Sequence, residues 1–175
     1  MTRIAHVGDD EASERVETIF DAAEDQFGLI PNIARTMGHS DAVADGFIGT
    51  EGELFGSGEL GHELLEKVGV AVSAANDCSY CVDAHSLSLL RNVDATEEEI
   101  EAITTGQFGE LSEREATATA FAAAAADDPQ TIDEDLYEDL TGEFSDTEIT
   151  EIVGTAALFE GINLFADALD VDPDQ

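Results

Sequence analysis

The sequence predicts an all-α fold of about eight helices around one core, and three observations carry that reading. Apolar residues recur at helical spacing, four Thr or Ser residues in the second half of the chain stand three positions before a Glu, and no stretch alternates long enough for a strand. Helices alone fit that pattern.

Across residues 9–27, Val16, Ile19, Phe20, Ala23 and Phe27 fall at i, i+3, i+4, i+7 and i+11, which describes one amphipathic helix ended by Gly28. Leu29-Ile30-Pro31-Asn32 is an extended lead-in to a short helix with Pro31 in its first turn, closing near Gly38. A third helix starts at Ser40 or Asp41, passes through Ala42, Val43, Phe47 and Ile48, and ends near Phe55, with Gly46, Gly49 and Gly52 weakening it. Gly56-Ser57-Gly58 is a break. Residues 60–75 form the next helix, with Leu64, Val68, Val72 and Ala75 on its apolar side, and after the Asn76-Asp77 turn a further helix runs from Cys78 to about Arg91. The four later starts are Thr96 with Glu99, Ser112 with Glu115, Thr131 with Glu134, and Ser145 with Glu148. In each, the hydroxyl can accept from a first-turn amide while the Glu reaches back to the cap. Residues 112–127 are nearly all alanine and helix formers, stopped by Asp127-Asp128-Pro129, and residues 145–169 are the longest helix.

Composition narrows the function. The chain has 175 residues, enough for one domain with a sizeable core, and 43% of them are hydrophobic. Against 6 Lys and Arg stand 41 Asp and Glu, a net charge of −35 spread from end to end. Such a surface repels nucleic acid and anionic membranes, and its self-repulsion is screened at high salt, so the acidity reads as a halophile-type solvated surface. No apolar run approaches a membrane span, and the N-terminus is unlike a signal peptide, so a cytoplasmic location is expected. In that reducing compartment a lone C-x-x-C is redox or metal chemistry rather than a structural staple.

That pair is Cys78 and Cys81, the only cysteines, followed by His85. On a helix their positions are i, i+3 and i+7, so both sulfurs and the imidazole lie within roughly 60° of one another. Glu66 joins them if the preceding helix folds back, because it precedes Asp77 by 11 residues where His85 follows it by 8, a mismatch of about 4.5 Å. Only a thiolate attacks a peroxide or disulfide well. Helix N-terminal amides, His85 as base and Glu66 as its orienting group could each help to form one. Cys81, nearer His85, would attack, and Cys78 would then condense with the sulfenic acid; the helix dipole alone favours Cys78 as the attacker instead. Ser73 and Asn76 read as hairpin packing and capping, and Tyr80 as pocket lining or an oligomer contact. His6, His39 and His62 read as surface residues. Phe121 and Phe159 read as apolar surface that a lone helical layer leaves uncovered, which points to a homo-oligomer.

Glu66-x11-Cys78-x2-Cys81-x3-His85, with Ser73 and Asn76 between, resembles the core motif of the AhpD-like alkylhydroperoxidases within the carboxymuconolactone decarboxylase superfamily. The Leu29-Ile30-Pro31-Asn32 segment and residues 163–169 are similar to its peroxidase-related branch, so the resemblance covers most of the chain. It implies a single AhpD-like domain over 1–175 with its core motif at 60–91, assembled as trimers or hexamers. It also implies hydroperoxide reduction without a cofactor or metal, with Glu66 and His85 relaying protons to Cys81 and Cys78 resolving. The implied partners are a hydroperoxide and a thiol or dihydrolipoyl-type reductant. In AhpD proper a histidine directly precedes the second cysteine, where this chain has Tyr80. The decarboxylase branch lacks the cysteine pair, which argues against lactone decarboxylation here. Two alternatives remain: a thiol-disulfide oxidoreductase without peroxide specificity, and a non-enzymatic oligomer binding zinc through Cys78, Cys81, His85 and Glu66.

Overall fold

The computed structural model describes residues 1–93 and 95–174, and among them every regular element is helical. Helix α1 spans Glu14–Phe27 and α2 Asn32–Met37, while α3 (Asp41–Ala44), a π-helical turn (Asp45–Gly49) and α4 (Thr50–Ser57) form one continuous rod. Then follow α5 (His62–Ala75), α6 (Ser79–Asn92), α7 (Glu97–Thr104), a 3₁₀ turn (Phe108–Glu110), α8 (Glu113–Asp127), α9 (Glu134–Glu143) and α10 (Asp146–Leu169). Counting the rod once gives nine helices among the described residues, in line with the about eight that the sequence predicts.

The boundaries follow from local chemistry. Ser13 accepts from the Val16 amide and so starts α1 later than residue 9, and Gly28, at φ 76, ends it in the left-handed region. Three of the four expected capping boxes form, at Thr96, Ser112 and Ser145. The fourth does not. Thr131 donates its hydroxyl to the Asp128 carbonyl and closes the turn after Pro129, so α9 begins instead at Asp133, whose carboxylate accepts from the Asp135 amide. Of the glycines in the third helix, Gly46 and Gly49 fall in the π-turn and Gly52 in the first turn of α4. A Cβ on Gly161 of α10 would stand 2.5 Å from the Phe47 ring, so that glycine admits the ring against the α10 backbone.

Helix α5 is the centre of the molecule. Ten of its fourteen residues are buried, and it packs on α6, α7, α8 and α10. Leu65, Val68 and Val72 meet Phe121, Ile152 and Phe159 from α8 and α10, while Val70 and Ala71 meet Leu89 and Ile103. The two cysteines lie in a third apolar cluster with Val16, Phe20, Met37 and Ile162. Phe121 and Phe159 are thus 4% and 0% exposed within one protomer, so they are not the uncovered surface read from the sequence. Helices α8 and α10, which touch each other, bury them by packing together on α5.

α10 is the longest helix among the described residues. Its 24 residues, at a mean hydropathy of 1.4 over the most apolar stretch, are long and apolar enough to cross a membrane. Glu160 is the only charge between Glu151 and Asp167. In this fold the helix lies against α5 and α8, and it buries Thr155 and Asn163 beside its apolar residues.

Two of the buried α5 residues are ionisable neighbours, Glu66 and Lys67. Lys67 is the chain's only lysine and is 1% exposed. Its ammonium reaches Glu63 at 2.8 Å, Glu99 at 3.1 Å and Glu115 at 2.6 Å, and its pKa stays raised despite burial. Glu99 and Glu115 are the same glutamates that close the α7 and α8 capping boxes. One ammonium thereby ties two helix starts to α5.

Candidate active site

The site grows from the α5–α6 hairpin. Asn76 ends α5, Asp77 turns at φ 56, and the Cys78 amide donates to the Ser73 carbonyl at 2.9 Å, which reverses the chain in three residues. Asn76 Nδ2 also donates to Glu160 at 2.8 Å, and Ser73 Oγ to Asn163 Oδ1 at 3.1 Å, so both residues pack and cap as expected. Cys78 occupies the N-cap of α6, and Cys81 and His85 follow on the same face.

The reversal brings Glu66 and His85 together at 2.7 Å, from carboxylate Oε2 to imidazole Nδ1. The other oxygen of Glu66 accepts from Ser88 at 2.7 Å and meets His62 Nε2 at 3.0 Å. Burial alone pushes the Glu66 carboxyl up, but the charge of His85 and hydrogen bonds from His62, His85 and Ser88 outweigh it and hold the group at about 2. Burial pulls His85 down, and the charge and hydrogen bond of Glu66, with the charge of Glu51, push it up to about 9. The imidazole is also gripped sterically. Phe159 meets it edge-on at 4.7 Å between ring centroids and Phe27 at 6.1 Å. A Cβ on Gly69 would lie 2.4 Å from the Phe159 ring, so a glycine in mid-helix is what lets that ring reach His85.

The cysteines are reduced, with their sulfurs 3.2 Å apart. Hydrogen bonding from Cys81, both thiol and backbone amide, lowers the Cys78 pKa against the effect of burial, while Cys78 and burial raise Cys81. The pair therefore gives up its first proton more easily than a free thiol and its second with more difficulty, and the proton that remains can bridge the two sulfurs. Access separates them. A cavity of about 510 Å³ is lined by Cys81 and His85, together with Phe27, Ile33, Ile48 and Tyr80, and does not reach Cys78. Tyr80 is a wall of that cavity. Its hydroxyl donates to Asp174 at 2.8 Å and accepts from the Ile33 amide at 3.2 Å, while the Asn32 amide holds the other Asp174 oxygen at 2.7 Å. The segment after α10 thus closes one side of the pocket.

All four sequence-derived candidates, Glu66, Cys78, Cys81 and His85, lie around this hairpin. Three further residues belong with them. His62, expected on the surface, joins the network because it lies one turn before Glu66 on α5, and its hydrogen bond to Glu66 raises its pKa. Ser88 lies one turn after His85 on α6. Helical spacing from Glu66 and His85 was the available signal for both. Glu51 had no such signal: it comes from α4, is 6% exposed, and places Oε1 3.8 Å from His85 Nε2. Burial pushes its carboxyl up to about 7, against the pull of His85.

The zinc set does not assemble. Both Glu66 oxygens are committed to protein donors, and His85 Nδ1 is turned to Glu66. The carboxylate group drawn to coordinating distance among the described residues is Glu63, Glu99 and Glu115, whose centre Lys67 holds.

An all-helical protein with a C-x-x-C at the start of one hairpin helix and a buried Glu–His pair across it belongs to a definable class, the AhpD-like fold. A sequence model of the Carboxymuconolactone decarboxylase family matches residues 41–128, half of the chain, and the protein belongs to that family. Among curated proteins none matches the chain. A peroxidase-related protein from Silicibacter sp. TM1040 superposes with a TM-score of 0.85 at 23% identity, over 99% of this chain and 92% of that one. A peroxidase-related protein from Ralstonia eutropha JMP134, described as an alkylhydroperoxidase AhpD core, gives 0.87 at 22% identity over 99% and 93%. A cysteine-to-alanine variant of the debrominase Bmp8, in complex with 2,3,4-tribromopyrrole, gives 0.86 at 23% identity over 99% and 92%. At these identities the likeness is one of fold.

Proposed function

We propose that this protein is a cysteine-dependent hydroperoxide reductase of the reducing cytoplasm, one domain over 1–175 built round the 60–91 hairpin. The observation that carries the reading is that Cys81 and His85 share one cavity wall, with Cys78 3.2 Å behind Cys81 and Glu66 2.7 Å behind His85. The Cys81 thiolate attacks the outer peroxide oxygen, an S–O bond forms as the O–O bond breaks, and the alkoxide leaves to be protonated. Cys78 then attacks the sulfenic acid, an S–S bond forms, and water departs. Peroxide gains two electrons and the dithiol loses two. A thiol or dihydrolipoyl-type reductant restores the pair. When the lone proton of the sulfur pair moves to Cys78, the charge passes to Cys81, which is how the sulfur that faces the cavity becomes the nucleophile.

Reduced protein should consume tert-butyl hydroperoxide and lose both thiols together. Cys81→Ser should abolish consumption, and Cys78→Ser should react once and stop at a sulfenic acid that dimedone traps. Thiols that survive excess peroxide would sink the reading. The reverse behaviour of the two mutants would make Cys78 the attacking sulfur.

The fold shared with the debrominase, and a cavity larger than a peroxide group alone requires, support a second reading in which the dithiol removes halogen from an aromatic substrate. Bromide release from 2,3,4-tribromopyrrole with matching thiol loss, and no reaction with hydroperoxide, would favour it. We also propose a homo-oligomer, trimer or hexamer, that needs salt to associate across acidic surfaces. The apolar residues left exposed on the protomer, Leu87 and Leu90 on α6 with Val153 and Leu164 on α10, support it.

A further inference from the structure

Helix α4 buries one residue only, and that residue is Glu51. A buried carboxylate is costly unless it is paired, so the apolar side of a short helix is an unfavourable place for one. The charge of His85 compensates it only in part. Its Oε1 is buried and makes no hydrogen bond, and His85 Nε2 at 3.8 Å is within ion-pair range but too far to donate. The same side chain lines the cavity that Cys81 and His85 line. The π-turn Asp45–Gly49 directly precedes it. Such a turn widens the helix by one residue and shifts the face that later positions present, and π-turns concentrate at functional sites.

The charged and titratable groups around Glu51 explain why a second group is needed. From α6 it faces His85 and Cys81, and from α5 it feels Glu66 and His62. Glu66 holds His85 at Nδ1 and keeps the imidazole charged, so His85 is well placed to stabilise a thiolate and poorly placed to take a proton and give it back. Glu51 has no group that fixes its proton. A carboxyl in these surroundings exchanges its proton near neutral pH, which suits an acid and base acting in one cycle.

We propose that Glu51 is a proton-transfer residue of the site, taking the proton that the sulfur pair loses and giving it to the oxygen that leaves the hydroperoxide. The steps balance. The Glu51 carboxylate, which lines the same cavity as Cys81, takes the first proton of the sulfur pair, and the proton that remains moves to Cys78, leaving the charge on Cys81. The thiolate then bonds to the outer peroxide oxygen, the O–O bond breaks, and the alkoxide takes the proton from Glu51 to leave as an alcohol. Glu51 ends as the carboxylate it began as, and Cys81 as a sulfenic acid. This deepens the reductase reading and rests on it.

The test compares leaving groups. Glu51→Gln keeps the shape of the side chain and removes its proton exchange. Single-turnover oxidation of the variant by tert-butyl hydroperoxide, whose alkoxide must be protonated, should fall by about 10² to 10⁴-fold. Oxidation by peracetic acid, whose leaving acetate needs no proton, should fall by less than about tenfold, because that oxidant does not use the acid step and the sulfur pair can still lose its first proton to water. Equal losses with both oxidants, or no loss with either, would overturn the proposal. The proton is read separately by infrared difference spectroscopy. A protonated carboxyl band that disappears as pH rises should be present in the wild type and missing from Glu51→Gln. Its absence from the wild type overturns the proposal whatever the kinetics show. If the wild type ignores both oxidants yet shows the band, the reductase reading fails and Glu51 stands as the proton carrier of another thiol reaction.

Discussion

Glu66 and Lys67 are sequence neighbours in α5, about 100° apart on the helix, and each is a buried charge with a cluster of its own. The Lys67 cluster is complete. Three N–H groups meet three carboxylates, two of which already cap helices, and all three glutamates retain some contact with water. The Glu66 cluster is complete at its centre and unfinished at its edge. Glu66 itself receives three donors, but beyond His85 lie Glu51, whose Oε1 makes no hydrogen bond, and Cys81 of the thiol pair, all against a cavity. A buried charge whose partners satisfy it stabilises structure, whereas groups left with unused hydrogen-bonding capacity beside a cavity are free to act on a substrate. The difference between the clusters lies in that edge.

The largest effects should split along this line. His85→Ala should slow the first oxidation by about 10² to 10³-fold, the usual worth of a preorganised group that stabilises charge at the reacting atom, measured by stopped-flow thiol loss. Lys67→Met should leave that rate within about threefold, yet it strands three carboxylates around an apolar tail and should cost about 3 kcal/mol in urea unfolding. A Lys67→Met protein as slow as His85→Ala would erase the distinction.

A comparable effect should appear in stability against pH. The folded value for Glu51 lies above its ordinary 4.5, at about 7, so within that window the unfolded chain has released a proton that the folded chain still holds. Stability therefore falls as pH rises through the window, by about 3 kcal/mol, and Glu51→Gln should remove the fall. Glu66 acts in the opposite sense: its contribution is complete above about 4.5 and is lost as pH drops toward 2. Lys67, with its pKa raised, should add no slope between pH 5 and 9. Urea midpoints across pH for wild type and Glu51→Gln check the sign, and parallel curves would mean Glu51 is not a proton-exchanging group.

The smallest effect sharpens the structural side. Ser112→Ala should cost about 1 kcal/mol, because it breaks a cap whose glutamate also holds Lys67, while Thr131→Ala should cost less than about 0.5 kcal/mol because its capping box does not form. Equal costs would mean that the link to Lys67 adds nothing.

What could be read in advance depended on distance along the chain. The α5–α6 hairpin and its four residues were legible because i, i+3 and i+7 on one helix, and equal arms about one turn, are local geometry. His62 and Ser88 were equally local, one turn from Glu66 and His85, and were overlooked rather than hidden. Thr131 misled because a capping signature does not reveal a competing turn, here the one after Pro129 that takes the hydroxyl.

The amino-acid sequence by itself determined the helical class, the hairpin, and the Glu66, Cys78, Cys81 and His85 quartet, since each follows from spacing within one or two helices. The tertiary structure alone decided that Glu51 enters the site, that Phe121 and Phe159 are buried within the protomer, and that Lys67 sits among Glu63, Glu99 and Glu115. Glu51 reaches His85 from a rod separated from α5 by a glycine break and rephased by a π-turn, and Lys67 meets carboxylates 32 and 48 residues away. Packing of separate helices sets those encounters, and helical periodicity does not extend across the loops between them.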